Sequence, residues 1–393
     1  MCALPNILSI FVMSFPSPRV LRTLLSVVLL AFAAALPASA AQAPIKIGEF
    51  ASLTGKEATY GQAAHRGTLL AIEEANAAGG VLGRPLELIT EDDQSKAGEA
   101  ATIAKKLISR DKVVALLGEI TSGRTLEAAP IAQNAKIPLI SPGATAPAVT
   151  ARGNYIFRVC FVDSFQGSVM AKFARNSLKI SRTAILSSAS SAQSVGLAKI
   201  FRERFTALGG TIVLEQKYSE GDKDFRAQLT AIRAAKVEGI FVPGYYSEAA
   251  LICKQARDLG IDLPLFGIDG WESAELINIG GDAVEGSYFS THFSPESDDP
   301  DVRTFNDRFR ARWGTGTDAL SALGYDSAKL LIDAIQRAGT TEGAKLRDAL
   351  AATENFKGVT GTISFDAQRN PTKSAVVLQV RQGKFTFVQS IAP

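Results

Sequence analysis

The chain has 393 residues, 46% of them hydrophobic, with 42 basic side chains against 39 acidic ones. That balance leaves no concentrated Lys and Arg for a nucleic-acid phosphate backbone, and the only two histidines, His65 and His292, have no metal-ligand spacing. The length exceeds what one hydrophobic core organises, so two domains are expected.

Residues 1–40 read as an export signal. Arg19 and Arg22 supply the positive start, and Leu24 to Leu36 is an apolar run shorter than the roughly 20 residues that span a bilayer. The run ends at Pro37 and the small-residue site Ala38-Ser39-Ala40, so cleavage is expected after Ala40. Met13, just upstream of the basic pair, offers an alternative start. No cysteine stands at the cleavage site to take a lipid. Cleavage leaves 40 basic residues against 39 acidic, a net charge of +1, in a chain bound for the periplasm. Cys2 leaves with the signal. An oxidising compartment permits a Cys160–Cys253 disulfide, but their strand-like and helical settings favour two small buried hydrophobes.

From Ile45 onward, short β-rich runs alternate with amphipathic segments of helix length, the pattern of parallel sheets covered by helices. Strand Ile45 to Phe50 is followed by helix Tyr60 to Ala78, with Leu69, Leu70, Ile72 and Ala75 on one stripe and Gly79-Gly80 as its stop. Strand Leu86 to Thr90, helix Lys96 to Ser109, strand Val113 to Leu117, helix Thr125 to Ala135 and strand Pro138 to Ile140 repeat the unit, completing a doubly wound lobe by about residue 160. The alternation restarts with helix Phe165 to Leu178, strand Thr183 to Ser187, helix Ala192 to Leu208, strand Thr211 to Gln216, helix Phe225 to Ala235 and strand Gly239 to Val242. A second lobe of the same α/β kind is the economical reading. Strands Leu265 to Ile268 and Gly286 to Thr291 come next, then helices near Asp301 to Trp313, Asp318 to Ala338 and Glu342 to Ala352. The tail from Val359 to Gln389 has no helices between its β-rich runs, which suits antiparallel edge strands.

Open α/β sheets bind ligands beyond the carboxyl ends of their strands, so the loops after strands are the places to look. Ser52-Leu53-Thr54-Gly55 with Tyr60 follows the first strand. Thr121-Ser122-Gly123 and Ala144-Thr145 place hydroxyls and small residues at strand-to-helix turns, where free N–H groups attract an anion such as a carboxylate. Either turn alone reads as ordinary N-capping; together, and opposite an acidic loop, they suggest a clasp. The acidic residue is Asp269, set between strand and glycine where it meets an ammonium group, or serves an Asx-turn. Tyr60, Tyr245, Tyr246 and Trp271 are placed to wall a cleft or to pack the lobes. No H-E-x-x-H, G-x-S-x-G, P-loop or G-x-G-x-x-G is present, and no spacing joins Ser, Asp and His into a triad, so neither an enzyme nor a cofactor is expected.

At these loops the sequence resembles the periplasmic branched-chain amino-acid-binding family of type I periplasmic binding proteins. The likeness runs co-linearly through IKIGEFASLTGKEATYG, DDQSKAGEAATIAKKLI, GEITSGRTLEAAPIAQNAKIPLISPGATAPAVT, FRVCFVDSFQGSVMAKF, FVPGYYSEAALICKQARDLGI and GIDGWESAEL. The resemblance implies two Rossmann-like lobes joined by three crossover strands, a hinge that closes on an amino acid, and a monomer that serves the membrane permease of an ABC importer. It places the crossings near Asp163, Ser287 and Asp366, giving lobes of 42–162 plus 288–365 and of 163–287 plus 366–393. By position, Ser122, Ala144 and Thr145 would hold the ligand carboxylate, Asp269 with Tyr245 the ammonium, and Tyr60 and Trp271 the side chain. One departure stands out: the family's Asp-Tyr pair is replaced within Ser190-Ser191-Ala192-Gln193-Ser194, putting Gln193 where a tyrosine commonly touches the ligand. An amide, an aromatic acid or another small metabolite is then an alternative to a branched-chain side chain. Delivery to a chemosensor, or a secreted α/β hydrolase, are the readings from other classes.

Overall fold

The computed structural model describes residue 1 and residues 42–393; the expected signal lies outside the described residues. Ala43–Pro393 forms one compact unit. Its strands are β1 (Ile45–Ala51), β2 (Leu86–Asp92), β3 (Ala115–Leu117), β4 (Leu139–Ser141), β5 (Ile156–Arg158), β6 (Arg182–Ser188), β7 (Thr211–Tyr218), β8 (Gly239–Phe241), β9 (Leu265–Gly267), β10 (Tyr288–Thr291), β11 (Phe356–Gly358), β12 (Gly361–Ile363), β13 (Ala375–Arg381) and β14 (Lys384–Ile391). The helices are α1 (Ala58–Ala77), α2 (Glu99–Lys106), α3 (Ser122–Ala135), α4 (Asp163–Asn176), α5 (Ala192–Ala207), α6 (Arg226–Ala234), α7 (Tyr246–Asp258), α8 (Ala274–Gly280), α9 (Pro300–Trp313), α10 (Ala319–Ala338) and α11 (Gly343–Ala351).

Two sheets carry the fold. A five-stranded sheet runs β2-β1-β3-β4-β5, and its neighbours are parallel throughout. A seven-stranded sheet runs β14-β13-β10-β9-β8-β6-β7, parallel from β7 to β10 and antiparallel through β13 and β14. The helix-free tail thus supplies the antiparallel edge its composition suggested. Strands such as β3, β4, β5, β8 and β9 are buried along their whole length, as expected where helices cover both faces. Cys160 and Cys253 are both buried and free.

Helices α9 to α11 return to the five-stranded sheet, where α10 lies along α1. The approach is close enough to demand glycine. A Cβ on Gly67 would stand 1.8 Å from the Ser321 carbonyl oxygen, and one on Gly324 would stand 2.1 Å from that of Ala64. Helix α10 starts cleanly because the Asp318 carboxylate accepts from Ser321 N while the Ser321 hydroxyl faces Asp318 N, a reciprocal capping box.

The chain passes between the sheets three times. It passes first from β5 into α4, which packs on α5 and β10. Strand β10 itself pairs with β9 and β13 inside the larger sheet, so the second passage follows Thr291 instead of falling near Ser287. The third is also later than Asp366, because Arg369 still donates to the Ile156 and Thr150 carbonyls of the first lobe before β13 begins. Between these passages Asp326 of α10 holds the β11–β12 turn by accepting from Val359 N and Thr360 N at 2.8 and 2.9 Å.

Gly324→Ala is expected to destabilise the mature chain by about 1–3 kcal/mol, since α1 and α10 must separate to admit the methyl group. Urea unfolding of both proteins measures it; equal stability would show that this helix contact yields freely.

Candidate functional site

The ends of β1, β3 and β4 open on one side of the first lobe, and short polar bonds stitch their loops into a rigid shelf. The Ser141 hydroxyl donates to the Glu119 carbonyl and accepts from Ala144 N. Ser122 Oγ, at the first turn of α3, accepts from Ala146 N at 3.1 Å. Behind them the buried Arg158 guanidinium donates to the Ala144 and Ala146 carbonyls, fixing the backbone that carries Thr145. Ser122, Ala144 and Thr145 therefore sit side by side, at a helix N-terminus whose first N–H groups have no intrahelical partner.

A second network braces the same shelf from outside. Arg124 pairs with Glu57 at 2.7 Å, donates to Thr121 Oγ1 and lies 3.6 Å from Asp93. Glu119 accepts from both the amide and the hydroxyl of Thr121 at 2.6 Å. Burial, with Asp93 close by, pushes the Glu119 carboxyl up, and the nearby Arg124 guanidinium opposes that shift.

The second lobe brings Asp269, Gln193 and Tyr245 to the same gap. Asp269 begins a single helical turn after β9 and is nearly buried. Its Oδ1 accepts from Gln166 Nε2 at 2.9 Å, Gly270 N at 3.1 Å and Gln193 Nε2 at 3.4 Å, and its Oδ2 lies 3.0 Å from His292 Nε2. The same Gln193 nitrogen reaches across to Thr145 Oγ1 at 2.6 Å. One amide group thus spans a first-lobe hydroxyl and a second-lobe carboxylate.

Tyr60 joins the lobes at the next position. Its hydroxyl donates to the Gly270 carbonyl and lies 3.5 Å from Tyr246 N, with its ring edge-on to Tyr245 and Tyr246 at 5.8 and 5.0 Å. Tyr246 OH donates to the Lys56 carbonyl, and Ser273 Oγ bonds Thr59 Oγ1. Toward solvent, a cavity of about 500 Å³ lies between the starts of α3 and α5, lined among others by Glu57, Thr121, Arg124, Ser191 and Tyr245.

Of the residues expected from sequence, Thr145, Gln193, Asp269 and Tyr60 meet across the lobes, Ser122 and Ala144 form the adjoining shelf, and Tyr245 lines the mouth. Trp271 is placed otherwise: its indole is fully buried, donates to the Val242 carbonyl and lies over Gly267, where a Cβ would stand 2.1 Å from Nε1. The lone glycine of β9 exists to admit that ring, which packs the second lobe. Asp163, Gln166 and His292 were not singled out by sequence, yet they surround Asp269 and Thr145. Their signal was faint: polar residues in FVDSFQG and at the end of an apolar strand, where burial leaves no cheap place for a charge. Among the described residues no group of three or more His, Cys, Asp or Glu is placed to hold a metal ion, and no helix is long and apolar enough to cross a membrane.

Comparison with known proteins bears on the family and the fold. The family model described as periplasmic binding protein matches residues 44–384. A leucine-, isoleucine-, valine-, threonine- and alanine-binding protein of Pseudomonas aeruginosa is 31% identical over 82% of this chain and 86% of its own. A leucine binding protein of Thermotoga maritima superposes with a TM-score of 0.85 at 38% identity, covering 89% of this chain and 99% of that one. A branched-chain amino acid transporter substrate binding protein of Streptococcus pneumoniae, solved with isoleucine, gives 0.85 at 36% identity over 89% and 100%. A solute binding protein of an ABC transporter from Rhodopseudomonas palustris, solved with 3,4-dihydroxy benzoic acid, gives 0.79 at 26% identity over 89% and 97%.

The buried carboxyls make stability depend on pH in an unusual sense. Burial pushes Asp163 up to about 7 and Glu272 up to about 8. Unfolding returns both to the ordinary carboxylate range, so near neutrality the folded chain holds protons that the unfolded chain has released, and stability falls as pH rises. His292, lowered by burial, acts in the opposite sense only below its ordinary 6.5. Urea unfolding is expected to show about 1–2 kcal/mol less stability at pH 8 than at pH 6.5, with Glu272→Gln flattening the slope. A flat or rising profile for the parent chain would contradict this.

Proposed function

The chain belongs to the periplasmic binding protein family, a family of substrate-binding proteins and not of enzymes, and on that footing we propose that it captures an amino acid between its lobes and delivers it to the permease of an ABC importer. The observation that carries this reading is the meeting of Thr145, Gln193 and Asp269 at one buried point between the lobes. A zwitterion needs donors for its carboxylate and acceptors for its ammonium within a few ångströms of each other. The Ser122 and Ala144-Thr145 shelf offers hydroxyls and helix-terminal amides for the first, and Asp269 with the Thr145 hydroxyl offers acceptors for the second.

Binding is a shift of population. The open form takes the ligand on the first lobe, and closure brings Asp269, Gln193 and Tyr245 onto it. The Tyr60 hydroxyl on the Gly270 carbonyl and Ser273 on Thr59 are contacts that only a closed form makes, so they add to the stability of the liganded state. The cavity at the mouth, between Arg124, Glu57 and the Ser190-Ser191 turn, receives the ligand's side chain and suits a polar or amide group as well as an aliphatic one. A leader removed after Ala40, export to the periplasm and a monomeric working form complete the proposal, with 42–162 plus the segment carrying α9 to α11 as one jaw, and 163–291 plus the β13–β14 tail as the other.

Isothermal titration of ligand-stripped mature protein against the standard amino acids and a set of carboxylates tests it. At least one amino acid is expected to bind, and Asp269→Ala to weaken it by about 3 kcal/mol, because the ammonium is left buried and unpaired. Binding of benzoate-type acids alone, or an affinity indifferent to Asp269→Ala, would refute the amino-acid reading.

A further inference from the structure

His292 and Lys373 line a cavity of about 720 Å³ that shares no residue with the one at the cleft mouth. Its walls come from residues 292–299 of the second passage, the β11–β12 turn, residues 372–374 of the third passage and the β13–β14 hairpin, so both lobes meet around it. Two buried polar groups in this lining are not fully used. Lys373 is only 5% exposed, and its ammonium donates to the Val159 carbonyl and the Thr360 hydroxyl, two bonds for three N–H groups. It makes no ion pair among the described residues, because the carboxylate that bears on it most, Asp326, is spent on Val359 N, Thr360 N and the Thr360 hydroxyl. Burial pushes the ammonium down to about 8, which still leaves it mostly charged at neutral pH. A charge taken out of water is normally held against its opposite; this one borders a cavity instead. His292, 3% exposed, is the second group. Its Nε2 lies 3.0 Å from a carboxylate oxygen of Asp269, which accepts only, so Nε2 carries the hydrogen and Nδ1 of the neutral ring is an acceptor without a partner. Phe293, Val359, Val376 and Phe387 supply apolar wall, while Glu296, Asp298 and Asp299 stand exposed at the rim.

We propose that this cavity beside the hinge is a second binding site, for a small monocarboxylate that carries a hydroxyl, with Lys373 as the counter-charge of the carboxylate and His292 Nδ1 as the acceptor of the hydroxyl. The inference goes beyond the amino-acid reading and does not depend on it. A carboxylate gives the buried ammonium the partner that Asp326 withholds. A hydroxyl is the simplest group that offers Nδ1 a hydrogen without bringing a second charge out of water. The apolar wall takes the body of the acid. The rim carboxylates lie in solvent and are screened, so they weigh little against the ammonium inside, but they repel a ligand whose outer end is also negative and turn dicarboxylates away. An α-amino acid is rejected here by its own ammonium, which stands next to its carboxylate and would be brought against Lys373. The charge preference is thus the reverse of the one at Asp269.

The test is calorimetric titration of ligand-stripped mature protein near neutral pH with racemic 2-hydroxyhexanoate, hexanoate, hexanamide and succinate, for the parent, Lys373→Met and Thr362→Trp. Thr362 is exposed on β12 and lines the cavity, so an indole there occupies the space from its surface side. The parent is expected to bind 2-hydroxyhexanoate about fivefold or more tightly than hexanoate, and about tenfold or more tightly than hexanamide or succinate. Both variants are expected to weaken 2-hydroxyhexanoate by about tenfold or more, and Lys373→Met to melt no lower than the parent, since it replaces an unpaired buried charge with an apolar chain of similar length. A parent that fails to bind 2-hydroxyhexanoate at about 10 mM, or variants that both bind it within about twofold of the parent, overturns the hinge site, the second result placing the acid elsewhere. Equal affinity for 2-hydroxyhexanoate and hexanoate overturns the role of His292, and equal affinity for hexanoate and hexanamide overturns that of Lys373. If Lys373→Met does not fold, Thr362→Trp decides alone. None of these results bears on the amino-acid reading, which fails only if no amino acid binds or if Asp269→Ala leaves its affinity unchanged.

Discussion

One contact governs the meeting of the lobes: the Gln193 amide nitrogen, held between the Thr145 hydroxyl of one and the Asp269 carboxylate of the other. An N–H-bearing group spanning a hydroxyl and a carboxylate, out of water, is a small-scale version of what the site is proposed to do with an ammonium. The low dielectric of a closed cleft strengthens every such interaction and penalises any that is left unmade. Closure is therefore productive only when donors and acceptors balance, and that condition makes a shallow gap between two lobes selective.

Much of the remaining structure keeps this meeting in register. Arg158 fixes the Ala144 to Ala146 backbone, Ser141 and Ser122 tie the two first-lobe loops together, and Arg124 holds Thr121 against Glu57. On the other side Gln166 and His292 orient Asp269, and the His292 ring is stacked on Phe161 with centroids 3.7 Å apart. These supports come from strands and helix starts, which hold a side chain more closely than free loops do. His292 and Gln166 lie beside the passages between the lobes, so the positioning of Asp269 and the geometry of the hinge are shared.

The alternation of strands and helices was plain from sequence because each sheet is covered on both faces, which writes short apolar runs between amphipathic ones. The loops of the site were legible for the same reason: small hydroxyl residues and glycines collect where strands end. What failed to show were pairings between distant residues. Arg124 and Glu57 are 67 positions apart, and nothing local in either marks the bond. Trp271 reads as a cleft residue because its loop does, but the absent side chain of Gly267 draws the ring into the core. Asp163 reads as a lobe boundary because it begins a helix; only the fold shows its carboxyl buried beside Asp269 and Arg158. The passage expected near Ser287 falls later because strand pairing, invisible in one strand's composition, carries β10 into the larger sheet.

The most direct measurement is a crystal structure of the mature chain with the amino acid that binds it most tightly. The account predicts the ligand nitrogen at hydrogen-bond distance, about 3 Å, from Asp269 and from Thr145 Oγ1, with its carboxylate over the start of α3 at Ser122. A ligand lying elsewhere, or turned with its carboxylate toward Asp269, would contradict it.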